Sequence, residues 1–350
     1  MNFKGIISRI FLLYFALSVS TLVLCFFSKK IAYFFNHSLA FYLRRLFASL
    51  CSLFDFSIFE ILVIASPILI LLAIFYISKA GRSEDAKRRF VLLISIFSLL
   101  PSSYVFMIAI PNISPSPLDH DTSMLEDEDY VRAAKILAEG VNELSDKSEV
   151  GASYEFLSDV MTEAYSTLVF EYGIPHSKLP KPKPIRFSKA LSYTGALAFY
   201  AAPTGEININ TEIPPYMTPF TVAHEYAHYL GIGSEGDANL LAFISCERVE
   251  NAAVRYSARL TILEYVLSDL YKIDGEIYTN IYKTLNFQVR EDIKTHTEYS
   301  KRHESAGSFR FFEGLNSAHG KVWDNEGKRS YSATAKKIAL YFKNNQKPEV

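Results

Sequence analysis

Thr221-Val-Ala-His-Glu-Tyr-Ala-His-Tyr-Leu-Gly231 is the stretch whose reading decides the fold of this chain. As a helix it places His224 and His228, four residues apart, on one face. Two imidazoles so placed can share one zinc ion, and Glu225 beside them can take a proton from a metal-bound water. Thr218 reads as the N-cap, Pro219 suits the first turn, and Gly231 suits the residue after the last turn. Between Pro215 and Gly231 the helix is too short to cross a bilayer, which argues against a motif buried within the membrane.

Such a site needs a further protein ligand. Ser234 stands six residues after His228, where a metzincin carries a histidine, so that arrangement is excluded. A second helix is expected to begin near Glu235, in Glu-Gly-Asp-Ala-Asn239. A carboxylate at its start can swing back to the metal through a tight turn, which favours Glu235. Asp237, pointing elsewhere on a regular helix, is the alternative. Asn239, one turn on, can hydrogen-bond a ligand histidine from behind. Tyr256, His303 and His319 are candidate donors to a tetrahedral oxyanion, and Glu206 a candidate wall of the substrate cleft.

Working outward, residues 196–210 hold two strand-like runs around Pro203-Thr-Gly205, which reads as a hairpin turn. Apolar and polar residues alternate from Glu206 to Asn210, the pattern of a half-buried strand. As an edge strand before the motif helix it could pair with an extended peptide. Pro175, Pro180, Pro182 and Pro184 make the preceding segment an extended connector. Helical spacing is present at residues 130–144, 154–172, 277–299 and 331–342, and from about 235 to about 270 with breaks. The acidic group from Asp119 to Asp129 reads as a solvated helix N-terminus.

The first third differs in composition. Residues 6–27, 56–77 and 90–110 are long and apolar enough to span a bilayer, the last despite Pro101. Residues 31–50 carry His37, Arg44 and Arg45 among aromatics and read as an amphipathic segment at the membrane surface. Pro111 to Pro117 holds three prolines in seven residues and reads as a non-helical linker. Lys4, Arg9, Lys79, Arg82, Lys87, Arg88 and Arg89 fall on one side of the membrane, against Lys29, Lys30, Arg44 and Arg45 on the other. That asymmetry favours a cytoplasmic N-terminus and an extracytoplasmic C-terminal domain. The net charge of −1 argues against a nucleic-acid partner, and three scattered cysteines build neither a disulfide framework nor a thiolate metal site.

The motif helix and its Glu-Gly-Asp-Ala-Asn continuation resemble gluzincin metallopeptidases, where a glutamate of the next helix completes the zinc site. The chain is more closely similar to an uncharacterised bacterial membrane family, domain of unknown function 3810. The likeness rests on three spans, His-Glu-x-Ala-His-x-x-Gly, the acidic Ala-Asn motif, Thr204-Gly-Glu206 and Tyr256-Ser257. It implies His224, His228 and Glu235 as zinc ligands and Glu225 as catalytic base. Asn239 replaces the commoner aspartate of gluzincins. The expected architecture has three parts: a membrane domain over residues 1–111, a linker over 112–117, and a zincin-like α+β domain over 118–350. That last domain is mainly α with a small β-hairpin or sheet. The expected function is a membrane-anchored zinc metallopeptidase acting on peptide or protein substrates. The rival is an inactive zinc-binding module in envelope assembly.

Overall fold

In a bilayer every backbone polar group must be satisfied within its own segment, and long apolar runs meet that condition as helices. The computed structural model describes residues 3–147, 152–304 and 332–345. It divides into two units, Met1–Pro115 with Tyr200–Glu206, and Ser116–Phe199 with Ile207–Val350. The chain is mainly helical, with a three-stranded sheet and a series of apolar helices towards the N-terminus.

The first unit comprises α1 (Phe3–Phe27), α2 (Lys29–Phe35), α3 (Phe41–Cys51), α4 (Ile58–Ala80), α5 (Glu84–Phe97), α6 (Leu99–Tyr104) and α7 (Ile110–Ile113). Gly5–Phe27, Ile58–Ala80 and Glu84–Ile113 are each long and apolar enough to cross a membrane, which marks a membrane protein. No residue of α4 is fully buried, and apart from its packing against α5 its apolar surface suits lipid.

Two expectations change here. Arg44 is not on the solvated face of an amphipathic segment. It is fully buried, with Nη1 donating to Asn36 Oδ1 at 3.0 Å and to Phe106 O at 3.4 Å, and Nη2 to Asn36 O at 2.9 Å. A π-turn over Asn36–Ala40 presents the Asn36 carbonyl to it. The linker also starts later than its prolines suggest. A second π-turn, Val105–Ala109, shifts the hydrogen-bond register so that Pro111 lies in the first turn of α7, where a missing N–H breaks no helical bond.

The second unit comprises α8 (Asp127–Leu144), α9 (Tyr154–Tyr172), β1 (Lys183–Pro184), α10 (Ser188–Ser192), most of the β2 (Ala198–Ala201) and β3 (Glu206–Ile209) hairpin, and then helices only. These are α11 (Thr218–Leu230), α12 (Glu235–Glu247), α13 (Ala252–Ile273), α14 (Gly275–Thr284), α15 (Phe287–Glu304) and α16 (Ala333–Asn344). The strand order is β1-β3-β2, with β1 parallel to β3 and Lys183 opposite Asn208. Glu126 and Asp129 form a capping box at the start of α8, so the later acids begin a helix as read, but Asp129 is buried against Lys343 and not solvated.

α12 is the central helix, buried on every side from Gly236 to Cys246. It packs against α9, α11, α13 and α16. Arg259 of α13 grips Glu247 of α12 through both carboxylate oxygens, at 2.9 and 2.6 Å. α11 is tied to its neighbours by Tyr165 Oη to Ala223 O (2.6 Å), Tyr226 Oη to Pro180 O (2.8 Å) and Phe220 N to Ser257 Oγ (3.0 Å).

Smaller differences follow from local chemistry. Thr218 is the first helical residue of α11, after a 3-10 turn over Pro215–Met217, and Met217 holds the cap position. The helical stretch expected from 235 to 270 with breaks is two helices, α12 and α13, and Asn251, whose side chain caps α13, marks the break. Asn286 likewise caps a new helix and divides the one expected over 277–299. β3 is buried on both faces, not half-buried, because its polar residues find internal partners.

Glu206 is the clearest such partner. Sequence placed it on a cleft wall, but its carboxylate accepts the N–H groups of Ile58 (3.0 Å) and Phe59 (2.9 Å) and so caps α4. Gly205 beside it adopts φ +69°, and a Cβ there would lie 2.8 Å from Ala48 N and 3.0 Å from Arg44 O. Gly205→Ala therefore combines left-handed strain with a clash against backbone, for an expected loss of about 2–4 kcal/mol. Thermal unfolding of the full-length protein in detergent measures it; an unchanged midpoint contradicts this seating of the hairpin.

Candidate metal centre

The site is built by one turn between two helices. α11 ends at Gly231, whose φ of +102° suits only glycine, and Ile232 N–H reaches back to Ala227 O at 3.0 Å. That reversal brings Ile232 O to within 2.8 Å of His228 Nδ1. Ser234 then caps α12 by accepting Asp237 N–H at 3.4 Å, so that Glu235 is the first residue of the new helix.

His224, His228 and Glu235 converge. His224 Nε2 and His228 Nε2 are 3.0 Å apart, Glu235 Oε2 is 3.3 Å from the first, and Oε1 is 3.5 Å from the second. The other ring nitrogens are engaged behind. His228 Nδ1 donates to the Ile232 carbonyl, and His224 Nδ1 donates to Asn239 Oδ1 at 2.8 Å. With both protons on Nδ1, the two Nε2 lone pairs face each other and the carboxylate. A tetrahedral ion with bonds of about 2.0–2.1 Å has donors about 3.3–3.4 Å apart, so the three residues fit such an ion. The imidazoles are largely enclosed, while the Glu235 side chain is 69% exposed and leaves the cluster open on that side.

In the metal-free protein a proton takes the same place. Burial opposes a charge on His228, but the Glu235 carboxylate and its hydrogen bond outweigh it and push the imidazole up to about 9. Desolvation where the Glu235 carboxylate meets the rings opposes its charge, and the two histidines overcome it, holding the carboxyl well below its usual range. Glu225 is buried one position from His224, and its charge also favours protonated His228.

Other predicted residues stand elsewhere. Asp237, the alternative ligand, is turned away and its Oδ1 lies 2.6 Å from Lys337 Nζ in a buried pair. Tyr256 is buried and donates to Asp292, and His303 Nδ1 meets Tyr299 O at 2.8 Å. His319 lies outside the described residues.

Two contributors were not read from sequence. Tyr265 of α13 lies close to Asn239 and Glu235, and desolvation and the Glu235 charge push its phenol up. Thr334 of α16 accepts from Asn239 Nδ2 at 2.9 Å. Neither carries a motif, and only the packing of α13 and α16 on α12 brings them here.

A family profile described as "Protein of unknown function (DUF3810)" matches residues 35–337. No curated protein matches the chain, and no solved structure does.

The raised His228 value carries a sign. Its contribution to stability is complete below pH 6.5 and is lost as pH rises through about 9, in metal-free protein. By NMR of labelled histidine, His228 of the metal-free protein is expected to titrate near 9, and in Glu235→Ala to titrate lower, because burial is then opposed only by Glu225 and the Ile232 carbonyl. Titration at 6.5 in both contradicts the convergence.

Proposed function

The chain belongs to the DUF3810 family, which is defined without a function, and from the chemistry of its site we propose a membrane-anchored zinc-dependent peptidase of zincin-like fold. The observation that carries this reading is the convergence of His224 Nε2, His228 Nε2 and the Glu235 carboxylate at 3.0 to 3.5 Å, each imidazole backed by an acceptor at 2.8 Å. Nitrogen and oxygen donors with one open side are the donor set of a catalytic zinc site.

When bound, zinc would supply Lewis acidity, making water a better nucleophile and polarising a carbonyl. The remaining roles fall to the chain. Glu225, buried beside His224, accepts the proton of the attacking water and delivers it to the leaving amine. Asn239 and Ile232 hold the two imidazoles in the tautomer that leaves Nε2 free. Tyr265, next to Glu235 and Asn239, is the phenol placed to donate to the oxyanion. The strand expected at the edge, β3, is the central one of its sheet, so the backbone groups open to an extended peptide would be those of the edge strand β2.

The basic residues favour a multi-pass protein of the cell membrane with its second unit outside the cytoplasm. Seven basic residues at the N-terminus and around the turn before α5 stand against Lys29, Lys30, Arg44 and Arg45 on the other side. A C-terminal fusion to a phosphatase that folds only outside the cytoplasm is expected to be active; an inactive fusion at normal expression reverses the orientation.

Glu225→Gln is expected to keep zinc while losing roughly 10²–10⁴-fold in turnover of a quenched fluorescent casein. His228→Ala and Glu235→Ala are expected to lose the metal itself. Turnover that survives Glu225→Gln rejects the assigned base. A wild type that holds zinc and cleaves nothing favours a zinc-binding module without catalysis.

A further inference from the structure

The start of α12, which carries the carboxylate of the cluster, is gripped residue by residue by α16. A Cβ on Gly236 would lie 2.8 Å from Ala333 Cβ, so a side chain at this position would press on α16. At the next residue Lys337 Nζ lies 2.6 Å from Asp237 Oδ1 and also reaches Leu118 O at 3.3 Å. Two residues on, Asn239 divides its amide between His224 Nδ1 on one side and Thr334 Oγ1 on the other. α16 is itself held independently of the cluster, by Ser332 N to Asp269 Oδ2 (2.9 Å) and Lys343 Nζ to Asp129 Oδ2 (2.7 Å).

We propose that α16 is a positioning element for the metal site: its docking sets metal affinity through Thr334 and Asn239, and bound metal in turn holds α16. The inference rests on the metal reading given above. Its physical basis is that the Asn239 amide is buried and must be satisfied at both ends. Without the Thr334 hydroxyl the amide has reason to rotate, and the acceptor that fixes His224 rotates with it. Coupling of this kind is reciprocal, so whatever displaces α16 releases metal and whatever removes metal loosens α16. The C-terminal helix would thus regulate the site from within the chain.

The test uses full-length protein in detergent, with zinc affinity measured by chelator competition, visible absorption of the cobalt-substituted protein, and hydrogen exchange over residues 333–344. Thr334→Val keeps the shape and removes the acceptor; it is expected to bind zinc roughly 10- to 100-fold more weakly and to change the cobalt spectrum, with helical content unchanged. Thr334→Ser is expected to restore both. Zinc is expected to slow exchange over 333–344 in the wild type and not in His228→Ala. Equal zinc affinity in Thr334→Val and wild type, failure of Thr334→Ser to restore binding, or exchange over 333–344 indifferent to zinc each overturns the coupling and leaves the metal reading standing. A wild type that takes up neither zinc nor cobalt overturns the metal reading, and the coupling with it.

Discussion

Two imidazole nitrogens 3.0 Å apart, with a carboxylate within 3.5 Å, form an arrangement that cannot stand by itself. If Nδ1 of each ring donates backwards, no hydrogen is left between the rings, and their lone pairs repel. One positive charge, a proton or a metal ion, must therefore occupy the cluster. The backbone of the second unit is arranged around that requirement. Gly231 reverses the chain so that Ile232 O fixes one ring, and Ser234 starts α12 so that Glu235 enters at its first residue. The fully buried α12 then keeps Asn239 where it fixes the other ring.

The same economy of partners governs the first unit. A guanidinium buried among apolar helices needs acceptors, and Arg44 obtains them from Asn36 and from a carbonyl of the third apolar stretch. An apolar helix entering lipid needs its first N–H groups satisfied. α4 obtains this from Ser57 and from Glu206, a residue almost 150 positions later. In both cases the group looks like a surface or functional residue in the sequence, and what decides its role is a partner distant along the chain.

That distinction describes what could be read in advance. Periodicity and caps act within a turn or two, so the apolar spans, the motif helix and its stop at Gly231 were legible. The break at Asn286, inside a stretch read as continuous, was a local signal that was passed over, for Asn286 is an ordinary N-cap. Thr334, Lys337 and the true partner of Glu206 were not legible, because each depends on docking between helices that no short-range pattern encodes.

The choice between the two tyrosines of α13 shows the same point in geometric form. Tyr256 and Tyr265 are nine residues apart, and at 3.6 residues per turn that is about half a turn beyond two full ones. They therefore face opposite sides of the helix, and only one can serve the cluster. Ser257 Oγ binds Phe220 N at the start of α11, while the Tyr256 hydroxyl is drawn to Asp292 of α15. Tyr265 faces Asn239 and Glu235. Asn239 gives Oδ1 to His224 and one amide proton to Thr334. The amide that orients a histidine is thus itself held against α16 by Thr334, while α13 packs beside it.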